Sequence, residues 1–509
     1  MLLHDAFIHQ VSVHPQKVAV KTDEGVLTYS ELHDKSHRLA AYLLQKGLQK
    51  GDRVVLYMTN SLALCVSIYG VLLAGGAFVV VNPTTKKEKL WYIASNCTAF
   101  AIITHQKLIS DSQELSENVP SLRLLLYDQR NSQAKSLEEL VREPLAEVRW
   151  PRIISVDLAA LVYTSGSTGN PKGVTLTHLN MVSAAQSIIT YLQNKPDDIV
   201  LNVLPLSFDY GLYQLLMVLT FGGTLILERD FLYPSEIISK LQAEKVTGFP
   251  GVPTIFALLF KMQELSTKSF PHLRYISNTG AALPEEFIKK LLELFPSAQV
   301  FSMYGLTECK RVAYLPPADI RRKPGSVGVA MPNCEVFILD DDLEPVKPGK
   351  AGELYVRGAN VMQGYWNMPE ETAKVLLPGR YPFEKVLRTG DIFKMDEEGY
   401  LYFLGRKDDM IKSRGEKVSP KEVENVLYQM EGIEEAVVIG VKDEILGQAI
   451  KAYIKTAPYR QIAGKEVIRH CAKYLENFCV PQIVEFVDSL PKSPNGKIDR
   501  RSILEASLS

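Results

Sequence analysis

The run from Leu161 to Val174 reads LVYTSGSTGNPKGV. A β-type segment (Leu161, Val162, Tyr163) enters a loop that carries the hydroxyls of Thr164, Ser165, Ser167 and Thr168. Gly166, Gly169 and Gly173 permit tight turns, and Lys172 adds one cation. Small residues let backbone N–H groups approach a polyanion closely, and hydroxyls donate further hydrogen bonds. The chemistry this composition suits is the holding of a nucleotide's phosphates. The spacing is not the G-x-x-x-x-G-K-[ST] of a P-loop, so that class of ATPase is not indicated. Composition alone fits a flexible Ser/Gly loop equally well. The ordered string, closed by Pro171-Lys172-Gly173, is the more specific signal.

Four further clusters could do chemistry. Met303 to Glu308 (MYGLTE) follows an apolar segment and offers an aromatic ring, a tight glycine and a carboxylate. It reads either as a strand-end turn or as a site where Tyr304 stacks on a base and Glu308 binds Mg2+, a hard cation that takes carboxylate oxygen. Arg388 to Ile392 (RTGDI) places Asp391 after a glycine turn. Such an Asp is usually a turn former, but an ionised carboxylate can also accept both hydroxyls of a ribose. Gly405 to Glu424 (GRKDDMIKSRGEKVSPKEVE) is a charge run with Gly415 inside it, and a charge run is ordinarily a solvated face. Pro494 to Asp499 (PNGKID) exposes Lys497 on a turn. A lone cation placed where negative charge develops is a strong electrostatic catalyst.

Together these strings closely resemble the signatures of the adenylate-forming superfamily, which comprises acyl-CoA synthetases, luciferase-like enzymes and amino-acid adenylation domains. They occur in the family's order and at family-like spacing over nearly the whole chain. The resemblance implies ATP and Mg2+ as cofactors and a two-step reaction: a carboxylate attacks the α-phosphorus to give acyl-AMP and pyrophosphate, then a thiol displaces AMP. It assigns the nucleotide site to Thr164, Ser165, Gly166, Ser167, Thr168, Gly169, Lys172, Gly280, Ala281, Ala282, Tyr304, Gly305, Thr307, Asp391 and Arg406. It makes Lys497, Glu308 and Thr164 the catalytic set, with Glu308 on the metal. Asp408 corresponds to the hinge, and Gly415 to the glycine that lets a pantetheine arm pass once the small domain has rotated.

The acid pocket would be lined by Phe208, Asp209, Tyr210, Tyr213, Ser277, Thr279 and Met303. In LPLSFDYGLY, from Leu204 to Tyr213, many acyl- and aryl-CoA synthetases have His where Phe208 stands, whereas amino-acid adenylation domains have Phe-Asp. Asp209 is the lone charge in a long apolar stretch, and burying it unpaired would cost several kcal/mol. A substrate ammonium or iminium would supply the partner, and a helix-capping role is the alternative. The expected substrate is therefore a small amino or imino acid, proline being a candidate, loaded on a separate carrier protein. The competing expectation is an acyl-CoA synthetase for a fatty or aryl acid. Gly211 and Leu306 stand where amino-acid domains usually have Ser and Pro, and EKVSPKEVE is closer to CoA ligases. No carrier module follows Lys497, so the thiol is expected on a separate carrier protein or on free CoA.

The elements that must position these residues follow from the pattern. A chain of 509 residues, 46% hydrophobic and 23% charged, is too long for one core. Formal net charge is −1, without a basic stripe, so no nucleic-acid partner is expected. Six cysteines form no CxxC pair, which fits reduced thiols in a cytoplasmic protein. No leader-like segment opens the chain. Residues 61–81 and 199–227 are apolar enough to suggest membrane spans, but Gly75-Gly76 and Gly222-Gly223 break them into helix, tight turn and buried strand. The same βαβ pattern thus recurs about 145 residues apart. The expected fold is α/β: a large N-terminal domain (1–405) of two related α/β subdomains plus a β-rich subdomain near 325–400, and a small mobile α+β C-terminal domain (406–509).

Overall fold

The computed structural model describes residues 1–509 except 110–114, 116, 130–134, 141–146, 165–169, 414–415, 444–445, 459, 494–496 and 509. The chain is α/β, with a large N-terminal and a small C-terminal domain. Among the described residues one sheet runs, in spatial order, through 364–365, 172–177, 158–164, 77–81, 53–57, 99–104 and 124–127. Its strands from 158–164 to 124–127 are parallel neighbours. A second sheet runs through 329–330, 313–314, 299–304, 275–278, 248–251, 199–202, 224–227, 18–22 and 25–28. Its central strands are parallel as well.

Both expected βαβ units are present. Helix Leu62–Leu73 opens where the Ser61 side chain accepts from Leu64 N–H, a standard N-cap. Helix Asp209–Phe221 closes on Gly222, whose φ of 84° is left-handed. Each is apolar nearly all round because it is buried on nearly all sides. Among the described residues no helix is long and apolar enough to cross a membrane.

The apolar run from 199 to 206 is strand only to Asn202. Beyond it Pro205 cannot donate to a ladder, and Leu204 and Leu206 bond instead to Asn60. The Asn60 amide donates to Leu204 O at 3.0 Å and Glu228 O at 2.8 Å, and its oxygen accepts from Leu206 N at 2.8 Å. Asn60 follows a strand of the first sheet, and its partners follow strands of the second. The carboxyl ends of the two parallel sheets therefore meet here, the usual place for a ligand crevice in such folds.

A β-rich layer follows, with strands 334–339, 351–358, 385–395 and 401–406 in antiparallel succession. After 406 the chain builds a separate core. There strands 433–443 and 447–456 pair in antiparallel fashion and helices 420–427 and 464–474 cover them. All six cysteines are free.

Candidate active site

Strand 158–164 delivers Thr164 opposite Lys172 on the antiparallel strand 172–177. Lys172 Nζ lies 2.5 Å from Glu371 Oε2 and 5.2 Å from the centre of the Tyr365 ring. The ammonium groups of Lys172 and Lys374 hold the Glu371 carboxyl down at about 2. Ser165, Gly166, Ser167, Thr168 and Gly169 lie outside the described residues.

Strand 299–304 ends at Tyr304, and the chain turns sharply through Gly305 to Thr307 and Glu308. Tyr304 donates its hydroxyl hydrogen bond to Asp391 Oδ2. Asp391 is paired in register with Arg406, whose Nε lies 3.3 Å from Oδ1. That Oδ1 accepts no hydrogen bond, although Asp391 is only 4% exposed. Burial pushes the carboxyl up, and the Arg406 charge opposes it. The Tyr304 ring stands edge-on to Phe393 at 4.8 Å. A buried carboxylate with an open oxygen beside an aromatic ring is suited to a sugar diol next to a base. Glu308 accepts from Tyr365 Oη at 2.8 Å. Among the described residues no group of three or more acidic or histidine side chains could cage a metal. A single carboxylate fits Mg2+ that arrives with polyphosphate and water.

Lys497 comes from the C-terminal domain. Its N–H donates to Ser493 Oγ at 3.3 Å and its carbonyl accepts from Ser493 N at 2.8 Å. The side chain crosses to the N-terminal domain, with Nζ 5.0 Å from the centre of the Phe208 ring. It runs over Gly280. A Cβ at that position would sit 3.1 Å from Lys497 Cε and 3.1 Å from Phe208 Cζ, and φ there is +84°. Burial pushes the Lys497 ammonium below the usual lysine range, while the Asp209 charge opposes the shift.

Below Phe208 the helix 209–221 begins. Asp209 is its first residue and makes no capping hydrogen bond there, and no side-chain cap is made at Phe208 either. The premise that Asp209 is buried without a partner does not hold: Lys310 Nζ lies 3.8 Å from Asp209 Oδ2, with side-chain exposures of 2% and 9%. Lys310 also stands 5.2 Å from the centre of the Tyr213 ring. Burial pushes this ammonium down, and Asp209 opposes the shift. Tyr210 donates to Ser277 O at 2.7 Å and lies 2.8 Å from Ser277 Oγ, so these two expected pocket residues brace each other. Met303 Sδ accepts from Tyr191 Oη at 2.9 Å. The hydroxyls of Tyr213 and Thr279 are buried without a hydrogen-bond partner.

Sequence reasoning missed Lys310, Arg311, Tyr365 and Glu371. A signal existed for the first two: adjacent cations directly after MYGLTE, flanked by apolar Cys309 and Val312. The structure thus brings Lys497, Phe208, Gly280, Asp209, Tyr213 and Lys310 together, and Tyr304, Asp391 and Arg406 beside them. Ala281 and Ala282 continue the Gly280 turn, half-buried. Asp408 sits apart, in a small surface cleft shared with Met410, Gly440, Gln448 and Arg500. Gly415 lies outside the described residues.

Comparison with known proteins matches residues 7–366 to the family described as AMP-binding enzyme and residues 422–497 to the AMP-binding enzyme C-terminal domain. A long-chain-fatty-acid–CoA ligase of Yersinia pestis is 34% identical, covering 94% of this chain and 89% of that protein. A linear gramicidin synthase polypeptide of Brevibacillus parabrevis is 31% identical over 99% of this chain, which spans only 10% of that protein's length. The crystal structure of an anthranilate CoA ligase in complex with anthranoyl-AMP superposes with a TM-score of 0.92 at 25% identity, covering 100% of this chain and 97% of the other.

Proposed function

The chain belongs to the AMP-binding enzyme family and is an acyl-adenylate-forming acid–thiol ligase; on that premise we propose that it joins a carboxylic acid other than an α-amino acid to the thiol of free CoA. The observation that carries the choice of acid is the Asp209–Lys310 pair. A carboxylate that already faces an internal ammonium does not require a substrate ammonium to make its burial tolerable. Gly211 supports the same reading. A Cβ there would meet Pro205 O at 2.4 Å, so the Ser usual in amino-acid domains does not fit this backbone. The full-length likeness to a CoA ligase supports CoA as the acceptor.

In this reading Asp391 would accept the ribose hydroxyls, Tyr304 would flank the adenine, and Thr164 and Lys172 would contact the leaving phosphates. Glu308 would hold Mg2+, which when bound neutralises phosphate charge. Lys497 would lie between the acid's carboxylate and the α-phosphate. The attacking carboxylate needs no general base, so alignment and charge stabilisation do the work. For the second step the C-terminal domain would swing about Asp408, withdrawing Lys497 and admitting the thiol past Gly415.

The test is ATP–pyrophosphate exchange across amino, fatty, aryl and short polar acids, followed by thioester assay with CoA and with a phosphopantetheinylated carrier protein. The expected result is exchange with acids lacking an α-amino group and thioester formation with CoA. Exchange confined to proline or other amino acids, with thioester only on the carrier, would reverse the proposal.

A further inference from the structure

We infer that the acid pocket is built for a substrate carrying a second, distal oxyanion, recognised by Lys310 and Arg311; this rests on the acid–CoA ligase reading above. The pocket holds more positive charge than its own carboxylates balance. Lys310 is 2% exposed and its Nζ makes no hydrogen bond. Its contact with Asp209, at 3.8 Å, is an ion pair without a hydrogen bond. Arg311 is 4% exposed, its Nε is without a partner, and its Nη1 donates to the Lys310 carbonyl at 3.3 Å. Its guanidinium lies 4.7 Å from the centre of the Tyr210 ring. Among the described residues no carboxylate lies within ion-pair distance of Arg311. Buried N–H donors left without acceptors are unfavourable, and Asp209 balances only one of these two cations, so the free Lys310 Nζ and Arg311 Nε mark a place for an anion.

The backbone is arranged to present these cations. Lys310 holds a left-handed φ of 66°, a conformation a long side chain rarely adopts. Gly305 permits the fold-back, since a Cβ there would lie 2.0 Å from Lys310 O. The two ends of the pocket lie along one helix. Lys497 stands over Phe208, whereas Lys310 stands over Tyr213. Lys310 reaches both Asp209, next to Phe208, and Tyr213 one turn further along that helix. A reacting carboxylate at Lys497 would leave the distal oxyanion of a short acid within reach of Lys310. The chemistry fits a short dicarboxylate, with Asp209 keeping the Lys310 ammonium oriented towards it.

The experiment compares kcat/KM in pyrophosphate exchange for malonate through adipate with that for the monocarboxylates and ω-amino acids of equal length. Wild type should favour at least one diacid over its monoacid by roughly 10–100-fold, the scale of a charge-assisted contact. In Lys310→Met and, separately, Arg311→Met, that ratio should fall towards one, whatever the absolute rates. Melting temperatures identify a variant that fails to fold, and the wild-type ratio alone still decides. Equal or better use of monoacids, or preference for ω-amino acids, overturns the inference while leaving the ligase reading standing. No exchange with any acid overturns the ligase reading itself.

Discussion

Lys497 carries its charge into a site where little water can solvate it. Burial lowers its pKa, so the ammonium should be lost at a pH below the usual lysine value of about 10.4. If the protonated form assists adenylation, kcat/KM for pyrophosphate exchange should fall on the alkaline side below that pH. Lys497→Arg keeps its charge throughout and should remove this limb, even at a lower plateau. An unchanged limb in the variant would assign it to another group. Lys497 and Asp391 could both be singled out in the sequence because each sits in a short contiguous string. The Asp209–Lys310 pair was not. Along the chain Asp209 looks isolated, and its partner arrives much later, on a turn whose fold-back depends on Gly305. A buried charge seen in sequence therefore says that a partner is needed, not whether the protein or the substrate supplies it.

The turn after strand 275–278 shows how an element sets the site. Gly280 is left-handed, and its missing side chain leaves the space that Lys497 and Phe208 share. Gly280→Ala would introduce strain and push the lysine away. It should lower pyrophosphate exchange by roughly tenfold or more, on the scale of about 1–3 kcal/mol for a displaced contact in such a conformation. Thioester formation from supplied acyl-AMP should be much less affected, as the stopped assay of each half-reaction will read out. Equal losses in both would make the residue a folding requirement instead. Most elements were legible from hydrophobic period and glycine punctuation, including both Gly-Gly turns. The strand ending at Asn202 was not, because the apolar run continues into a loop that is equally buried. Burial sets composition, but the Asn60 bonds decide where the strand stops.

At the scale of the molecule, two cores share one site. In the proposed reading the large domain would hold the nucleotide and the acid where its two parallel sheets and the β-rich layer meet, and the small domain would contribute Lys497. Lys497 is seated on Phe208, the arrangement that the proposed adenylation step would use. Thiol transfer would need the same small domain elsewhere. The most direct test is to measure the two half-reactions separately in Lys497→Ala. Acyl-AMP formation should drop by roughly 10²–10³-fold, the scale for losing one preorganised charge contact, while CoA thioester formation from supplied acyl-AMP stays near wild type. Equal loss in both half-reactions would contradict the account.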